Sequence, residues 1–306
     1  MGLDELPDWL PAWCRRHLGG EPVDVLFQLH QVSMVFGLRL AGGTDAVVKA
    51  RDDGGRARSC VAAQARLADR GFPCARPLTP VVGVGSLSVH AEEFRPGGDA
   101  LHGDSPEVAV RCAEAFARLM AELAGVTVAP PLPNPPWVRW DHADPGAWPA
   151  IDLLDVRDQS AVPAFVTETA VRARGRLLAA DLPCVLGHAD FEAQNLRWRG
   201  ERLYTVHDWD SLAWQPEAAL AGAASGAFAS DGPPTLAPVE SSEVFLAAYQ
   251  DVRKRSFSAT EQEIAWAASV WMAAYNAREE ALYGASPVCR DALAAQATER
   301  LRRANA

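Results

Sequence analysis

Between Val185 and Asp210 the sequence VLGHADFEAQNLRWRGERLYTVHDWD gathers His188, Asp190, Glu192, Asn195, His207, Asp208 and Asp210 among strand-like apolar residues. Carboxylates and an amide oxygen are hard ligands. They suit Mg²⁺, which binds through one or two carboxylates and completes its shell with water and substrate phosphates. The segment is thus a metal and acid–base site or only a polar loop at a strand end. The runs NLRWR and RLYTVHDW flank Gly200-Glu201 and predict a hairpin turning there. Antiparallel pairing of its arms sets Asn195 roughly opposite Asp208, with Cα atoms about 4.5–5.5 Å apart. Asp190 lies in the loop entering the same open end, so two carboxylates and an amide are expected to converge.

The elements before this segment form one group. Residues 8–18 predict a short amphipathic helix. Residues 23–50 predict strands, VDVLFQLH and MVFGLRLA, then AVVKA after the AGGTD turn. Residues 56–70 are rich in helix formers, with Val61, Ala65 and Ala68 on one face and Gly71 and Pro73 ending the run. VVGVGSLSVHAEEF returns to strand, and RPGG at residues 95–98 breaks the pattern. Beyond the break, helices are predicted over 105–125, 160–180, 216–229, 240–256 and 259–284, the last capped by Thr260. A Pro- and Trp-rich loop fills 127–149. The expected fold is α+β, with a first lobe over 1–97 and a second over 98–306.

Bulk properties narrow the function. The chain has 306 residues and a net charge of −10. An acidic chain lacks the basic field of a nucleic-acid binder, and it concentrates cations instead. No uncharged apolar run approaches a membrane span, and no secretion signal is visible. The six cysteines have no C-x-x-C spacing, so free thiols in a reducing, cytoplasmic setting are expected. Lysine occurs only at Lys49 and Lys254 in an otherwise arginine-based chain. Lys49 ends the strand AVVKA, whereas Lys254 sits in a basic cluster at a helix end.

The run His188-Ala189-Asp190, then Asn195, then a hairpin and His207-Asp208-Trp209 resembles the catalytic segment of the aminoglycoside phosphotransferase and choline kinase-like family. Its offsets match the kinase patterns H-R-D-x-x-x-x-N and D-F-G. AVVKA resembles the kinase V-A-I-K element, and RLADRGFPCARPL and HAEEFRPGG resemble further family segments. The resemblance implies a bilobal protein-kinase-like fold, with a small antiparallel-sheet lobe carrying one main helix and a larger, mostly helical lobe. It implies ATP (or GTP) and Mg²⁺ as cofactors. It implies as acceptor a small, cationic, amine-bearing alcohol such as an aminoglycoside-like antibiotic, an amino sugar or a choline-like molecule. Antibiotic resistance is the role the resemblance implies, in a monomer or homodimer.

Roles follow by matching motif positions. Asp190 would orient the acceptor hydroxyl, Asn195 and Asp208 would hold the metal, and His188 would brace the loop. Lys49 and Ser33 would contact the nucleotide phosphates, and Glu93 and Arg95 would meet adenine. Glu192, Trp271, Tyr275 and Glu279 are candidates for the acceptor, the last three sharing one face of the helix from residue 259. Asp210 is expected to be a surface cap. Three departures stand out. Residues 54–68 hold no acid to pair with Lys49, leaving Gln64 as the nearest polar side chain. The turn LHQVSM has no glycine to cover phosphate. Glu192 adds a negative charge inside the catalytic loop. Two alternatives remain: a catalytically weak or dead nucleotide- or ligand-binding relative, and a metal-dependent hydrolase using His188, Asp190, His207 and Asp208.

Overall fold

The computed structural model describes residues 3–30, 33–52, 55–128, 132, 134–230 and 235–306. Gln31 of the expected phosphate turn and residues 129–131 and 133 of the Pro-rich loop lie outside the described residues. The chain forms two compact units. The first holds Met1–Gly98, Thr127–Leu132 and Thr205–Asp210, and the second holds the remainder.

The first unit begins with α1 (Trp9–Leu18) and then forms β1 (Pro22–His30), β2 (Met34–Leu40) and β3 (Asp45–Arg51). It continues through α2 (Ala57–Asp69), β4 (Val82–Val84) and β5 (Leu87–Glu93). The strands make an antiparallel sheet in the order β1-β2-β3-β5-β4. Alternation along each strand assigns the faces. Phe36, Leu38, Leu40, Val48, Ala50, Val89 and Ala91 pack with Leu10, Trp13 and Cys14 of α1 in one apolar core. The intervening positions of β3 and β5 therefore point the other way, and they are Lys49, Arg51, His90 and Glu92. The buried stripe of α2 is Ala57, Cys60, Val61, Gln64 and Leu67. It is displaced from the Val61-Ala65-Ala68 face read from the sequence, and it carries a polar residue at its centre.

Thr205–Asp210 is tied to this unit by its backbone and one ring. Val206 N–H donates to Pro73 O at 2.9 Å, and Trp209 packs edge-on to Phe72 at 6.2 Å between centroids. Trp209 Nε1 donates back to Val206 O at 3.0 Å.

The second unit contains α3 (Pro106–Leu123), α4 (Asp152–Asp155), α5 (Ala164–Leu178), β6 (Cys184–His188), β7 (Leu196–Arg199) and β8 (Arg202–Val206), whose last two residues cluster with the first unit. It continues with β9 (Leu212–Pro216), α6 (Glu217–Ala227), α7 (Val239–Arg253), α8 (Ala259–Tyr283) and α9 (Val288–Ala304). β7 pairs with β8 as the predicted hairpin, and Arg199 lies 3.7 Å over the Tyr204 ring. β6 pairs antiparallel with β9, bringing His188 opposite Leu212.

Helix α8 is apolar almost all round and is correspondingly buried on every side from Ile264 to Tyr275. It packs against α5, α6 and α9. The approach of α6 is close enough to need glycine, since a Cβ at Gly222 would fall 2.0 Å from Ala265 O. The cap of α8 is Ser258, not Thr260. Glu261 N–H donates to Ser258 Oγ at 3.3 Å, and Ser258 N–H donates to Glu261 Oε2 at 2.8 Å. This is the reciprocal S-x-x-E box, which uses both orphan amides. Helix α9 was not predicted. Its buried stripe of Cys289, Leu293, Ala297, Arg300, Leu301 and Ala304 is small and interrupted by an arginine. Among the described residues no helix is long and apolar enough to cross a membrane.

Candidate active site

In the first unit the outward face of β3 and β5 forms a buried charge cluster. Lys49 Nζ lies 3.0 Å from Glu92 Oε1, with side chains only 10% and 5% exposed. Gln64 Nε2 donates to Glu92 Oε2 at 2.8 Å and to Ala75 O at 2.8 Å. Burial opposes the charge on Lys49, yet Glu92, Asp210 and Asp208 hold its ammonium above the ordinary lysine range. Burial likewise raises Glu92, but Lys49, His90 and the Gln64 amide bring its carboxyl below the usual range. The pair is therefore ionised on both sides.

The acid beside Lys49 therefore stands on a strand rather than on α2. Glu92 is absent from the motif-matched residues, yet the sequence carries a signal for it. In HAEEF two acids stand in sequence, and strand alternation must turn one of them to the face of Lys49.

Asp210 is 6% exposed, so it is not a surface cap. It pairs with the Arg51 guanidinium, and Arg56 donates to its backbone carbonyl at 3.1 Å. Burial opposes ionisation of Asp210, but Arg51 and Lys49 hold its carboxyl below the ordinary range. Asp208, two residues upstream, has φ of 56°. That left-handed conformation is uncommon for a residue with a side chain, and such strain of about 1–3 kcal/mol concentrates at functional sites.

His90 is enclosed by the same cluster, 1% exposed. Burial first, then Arg51, pushes its imidazole from 6.5 down to about 4. The unfolded chain therefore binds more protons than the folded chain between those two values. Stability is full above pH 6.5 and is lost as pH falls through this window. The gap corresponds to about 3 kcal/mol at its lower end. His90→Gln should flatten this part of the stability–pH curve, measured by denaturant unfolding. An unchanged slope would assign the loss to other groups.

The remaining nucleotide candidates are less deeply set. Ser33 is half-buried in the bend before β2. Glu93 N–H donates to Arg76 O at 2.8 Å, and Arg95 Nη1 donates to Cys74 O at 2.6 Å. The Glu93 amide proton is thus committed within the protein.

In the second unit β6 ends at His188, which is fully buried and edge-on to Phe191 at 6.3 Å. Phe191 in turn packs on Phe116 of α3 at 4.8 Å. These contacts pin the loop that follows. Asn195 Nδ2 donates to both Asp190 O and Asp190 Oδ2, each at 3.0 Å. One amide thus fixes the aspartate carboxylate.

Glu192 is 4% exposed. Gln194 Nε2 donates to its Oε2 at 2.8 Å, and Asn276 Nδ2 of α8 donates to its Oε1 at 3.1 Å. Its charge is held inward by two amides, and the residue ties the loop to α8.

Tyr275 lies within electrostatic reach of Asp190, and Glu279 is hydrogen-bonded to Tyr275. Burial, then Glu279 and further on Asp190, raises the Tyr275 hydroxyl far above its usual range. Burial also raises the Glu279 carboxyl, against a hydrogen bond with Tyr275. Trp271 is 1% exposed, stacked on Tyr275 at 5.9 Å, and donates to Ala147 O at 3.3 Å. It props the tyrosine and has almost no surface to offer a ligand. Trp148, outside the candidate set, completes this aromatic group at 6.3 Å from both rings.

A family model described as the phosphotransferase enzyme family matches residues 32–238, more than half of the chain. The chain belongs to the phosphotransferase enzyme family. Membership makes it a small-molecule phosphotransferase, as the segment 185–210 predicts. No curated protein matches this phosphotransferase in sequence. Its fold is shared with an amicoumacin kinase in complex with AMP-PNP, Ca²⁺ and Ami, at TM-score 0.64 and 11% identity over 93% of this chain and 90% of that chain. It is also shared with a thermostable mutant of the aminoglycoside phosphotransferase APH(4)-Ia bound to AMP-PNP and hygromycin B, at TM-score 0.59 and 14% identity over 96% and 98%. A choline/ethanolamine kinase family protein from Mesorhizobium loti matches at TM-score 0.51 and 18% identity over 92% and 87%. At such identities the likeness carries the kinase-like fold of the phosphotransferase, with a small antiparallel sheet and a larger helical part.

Proposed function

We propose that this phosphotransferase moves the γ-phosphoryl group of ATP to a hydroxyl of a small, amine-bearing acceptor, with Mg²⁺. The observation that carries the reading is the Asp190–Asn195 pair. A carboxylate fixed by an amide five residues on, in a chain of this family, suits a group that must orient a hydroxyl. Asp190 takes the acceptor proton as the oxygen–phosphorus bond forms and ADP leaves. The Asn195 amide oxygen and the Asp208 carboxylate are each a hard oxygen of the kind a divalent cation takes. Such an ion, when bound, neutralises charge on the phosphates. Lys49, held charged, suits contact with the nucleotide phosphates, with Ser33 beside β2 and with Glu93 and Arg95 toward the base.

Residues 1–97 would act as the nucleotide lobe and 98–306 as the catalytic and acceptor lobe, with 205–210 serving the first. For the acceptor, Tyr275 and Glu279 support a cation. An ammonium beside Glu279 would favour its ionised form against the burial that opposes it. Glu192 and Trp271 support the site from behind. The free cysteines fit a reducing cytoplasm. The amicoumacin and hygromycin B enzymes among the structural relatives make antibiotics natural first acceptors to try.

The test is a panel of aminoglycosides, amino sugars and choline-like alcohols with ATP and Mg²⁺, products read by mass spectrometry. A mass gain of one phosphoryl group on one member is expected. No product on any member and no ATP binding by calorimetry would overturn the reading.

A further inference from the structure

We propose that Glu92 is the positioning residue for Lys49, oriented by Gln64, so that the sheet and not helix α2 sets the phosphate-binding lysine. The inference rests on the nucleotide reading above for its consequence, but its geometry stands apart from it. Lys49 opposes His90 in the β3–β5 ladder, and Glu92 follows two residues on, so Lys49 and Glu92 are diagonal neighbours on one face. Diagonal Cα separations of about 7–8 Å lie within reach of two long side chains, and the charged atoms meet at 3.0 Å. Both carboxylate oxygens of Glu92 are used, Oε1 by Lys49 and Oε2 by Gln64. Gln64 spends its two N–H donors on Glu92 and on Ala75 O. The amide therefore locks the carboxylate that locks the lysine.

In protein kinases the lysine's partner is a glutamate on a helix, and moving that helix makes or breaks the pair. Here the helix offers only a neutral amide, since α2 has no acid before Asp69. Both charges stand on adjacent strands whose register runs unbroken from Ala46↔Glu93 to Arg51↔Ser88. Separating them would require breaking the ladder. The lysine is thus set whenever the sheet is folded, and displacement of α2 only loosens the orientation of Glu92.

The chain's two lysines make a direct test feasible. Lysine labelled with ¹³C at Cε gives two signals, assigned by Lys254→Arg. In the nucleotide-free protein Glu92→Gln should move the Lys49 titration to lower pH, and Gln64→Leu should move it less in the same direction. Nucleotide kcat/KM should fall about tenfold or more in Glu92→Gln, with acceptor KM unchanged. Combining Glu92→Gln with Lys49→Ala should add little to the loss from Lys49→Ala, because one acts through the other. Where Glu92→Gln does not fold, Gln64→Leu, which keeps both charges, carries the test. An unmoved Lys49 signal, or losses that add in the double variant, would overturn the proposal. A moved signal in a protein that binds no ATP by calorimetry would leave the positioning intact and sink the nucleotide reading.

Discussion

Asp190→Asn is expected to lower kcat by about 10²-fold or more while leaving ATP affinity unchanged. General-base groups contribute about 10²–10⁴-fold. Phosphoryl transfer through a loose transition state needs little proton removal early on, which favours the lower end of that range. The asparagine matches the aspartate in shape and can present its carbonyl oxygen to Asn195 Nδ2, which donates to Asp190 Oδ2 at 3.0 Å in the native protein. The loop should therefore remain in place, pinned by Phe191 against Phe116 and by Glu192 against Asn276. Only the charge and the proton acceptor are lost. Single-turnover transfer to the identified acceptor, with calorimetry for ATP, checks it. Undiminished transfer would remove Asp190 from its role.

Asp210→Ala is expected to cost about 3–5 kcal/mol of folding stability. An exposed ion pair would be worth only about 0–1 kcal/mol. Burial decides for the larger figure, because Asp210 and Arg51 have side chains only 9% and 6% exposed. Deleting the carboxylate leaves the Arg51 guanidinium enclosed beside Lys49 and Arg56 with one anion fewer. Breaking a buried pair in this way is far costlier than replacing both members with apolar groups. Arg51→Met combined with Asp210→Leu should therefore recover much of the loss in a denaturant titration. Equal destabilisation in the single and double variants would show that packing, not charge, governs the site. Total stabilities run near 5–15 kcal/mol, so the single variant is expected to be marginal at 37 °C. Weaker Mg²⁺ binding should accompany it, since Asp208, the metal ligand proposed above, stands two residues away with φ of 56°.

Much of the fold was legible because its signals are local. Period-two runs fixed β1 to β3 and β5, and Gly200-Glu201 fixed the hairpin of β7 and β8. Long apolar-periodic runs fixed α3, α7 and α8. Helix α9 escaped because its inward stripe is built of alanine, cysteine and a buried arginine. Arg300 is fully enclosed, and burial lowers it to about 9. It donates to Ser269 Oγ at 2.9 Å and to Ser242 Oγ at 2.8 Å, partners on α8 and α7 that no periodicity announces.

The site divides in the same way. The sequence by itself determined the family, through the spacing of His188, Asp190, Asn195 and Asp208 and the lone strand lysine at Lys49. Those groups lie within one loop, one turn or one strand, where covalent spacing is nearly geometry. Only the tertiary structure decided who stands beside them. Glu92 became the lysine's partner because β5, not β4, lies next to β3. Glu192 turned inward because α8 brings Asn276 to it, and Asp210 is buried because its segment returns to the first unit, where Arg51 waits. Each of these joins residues far apart in the chain, and a charge's partner depends on which strand or helix packs against it.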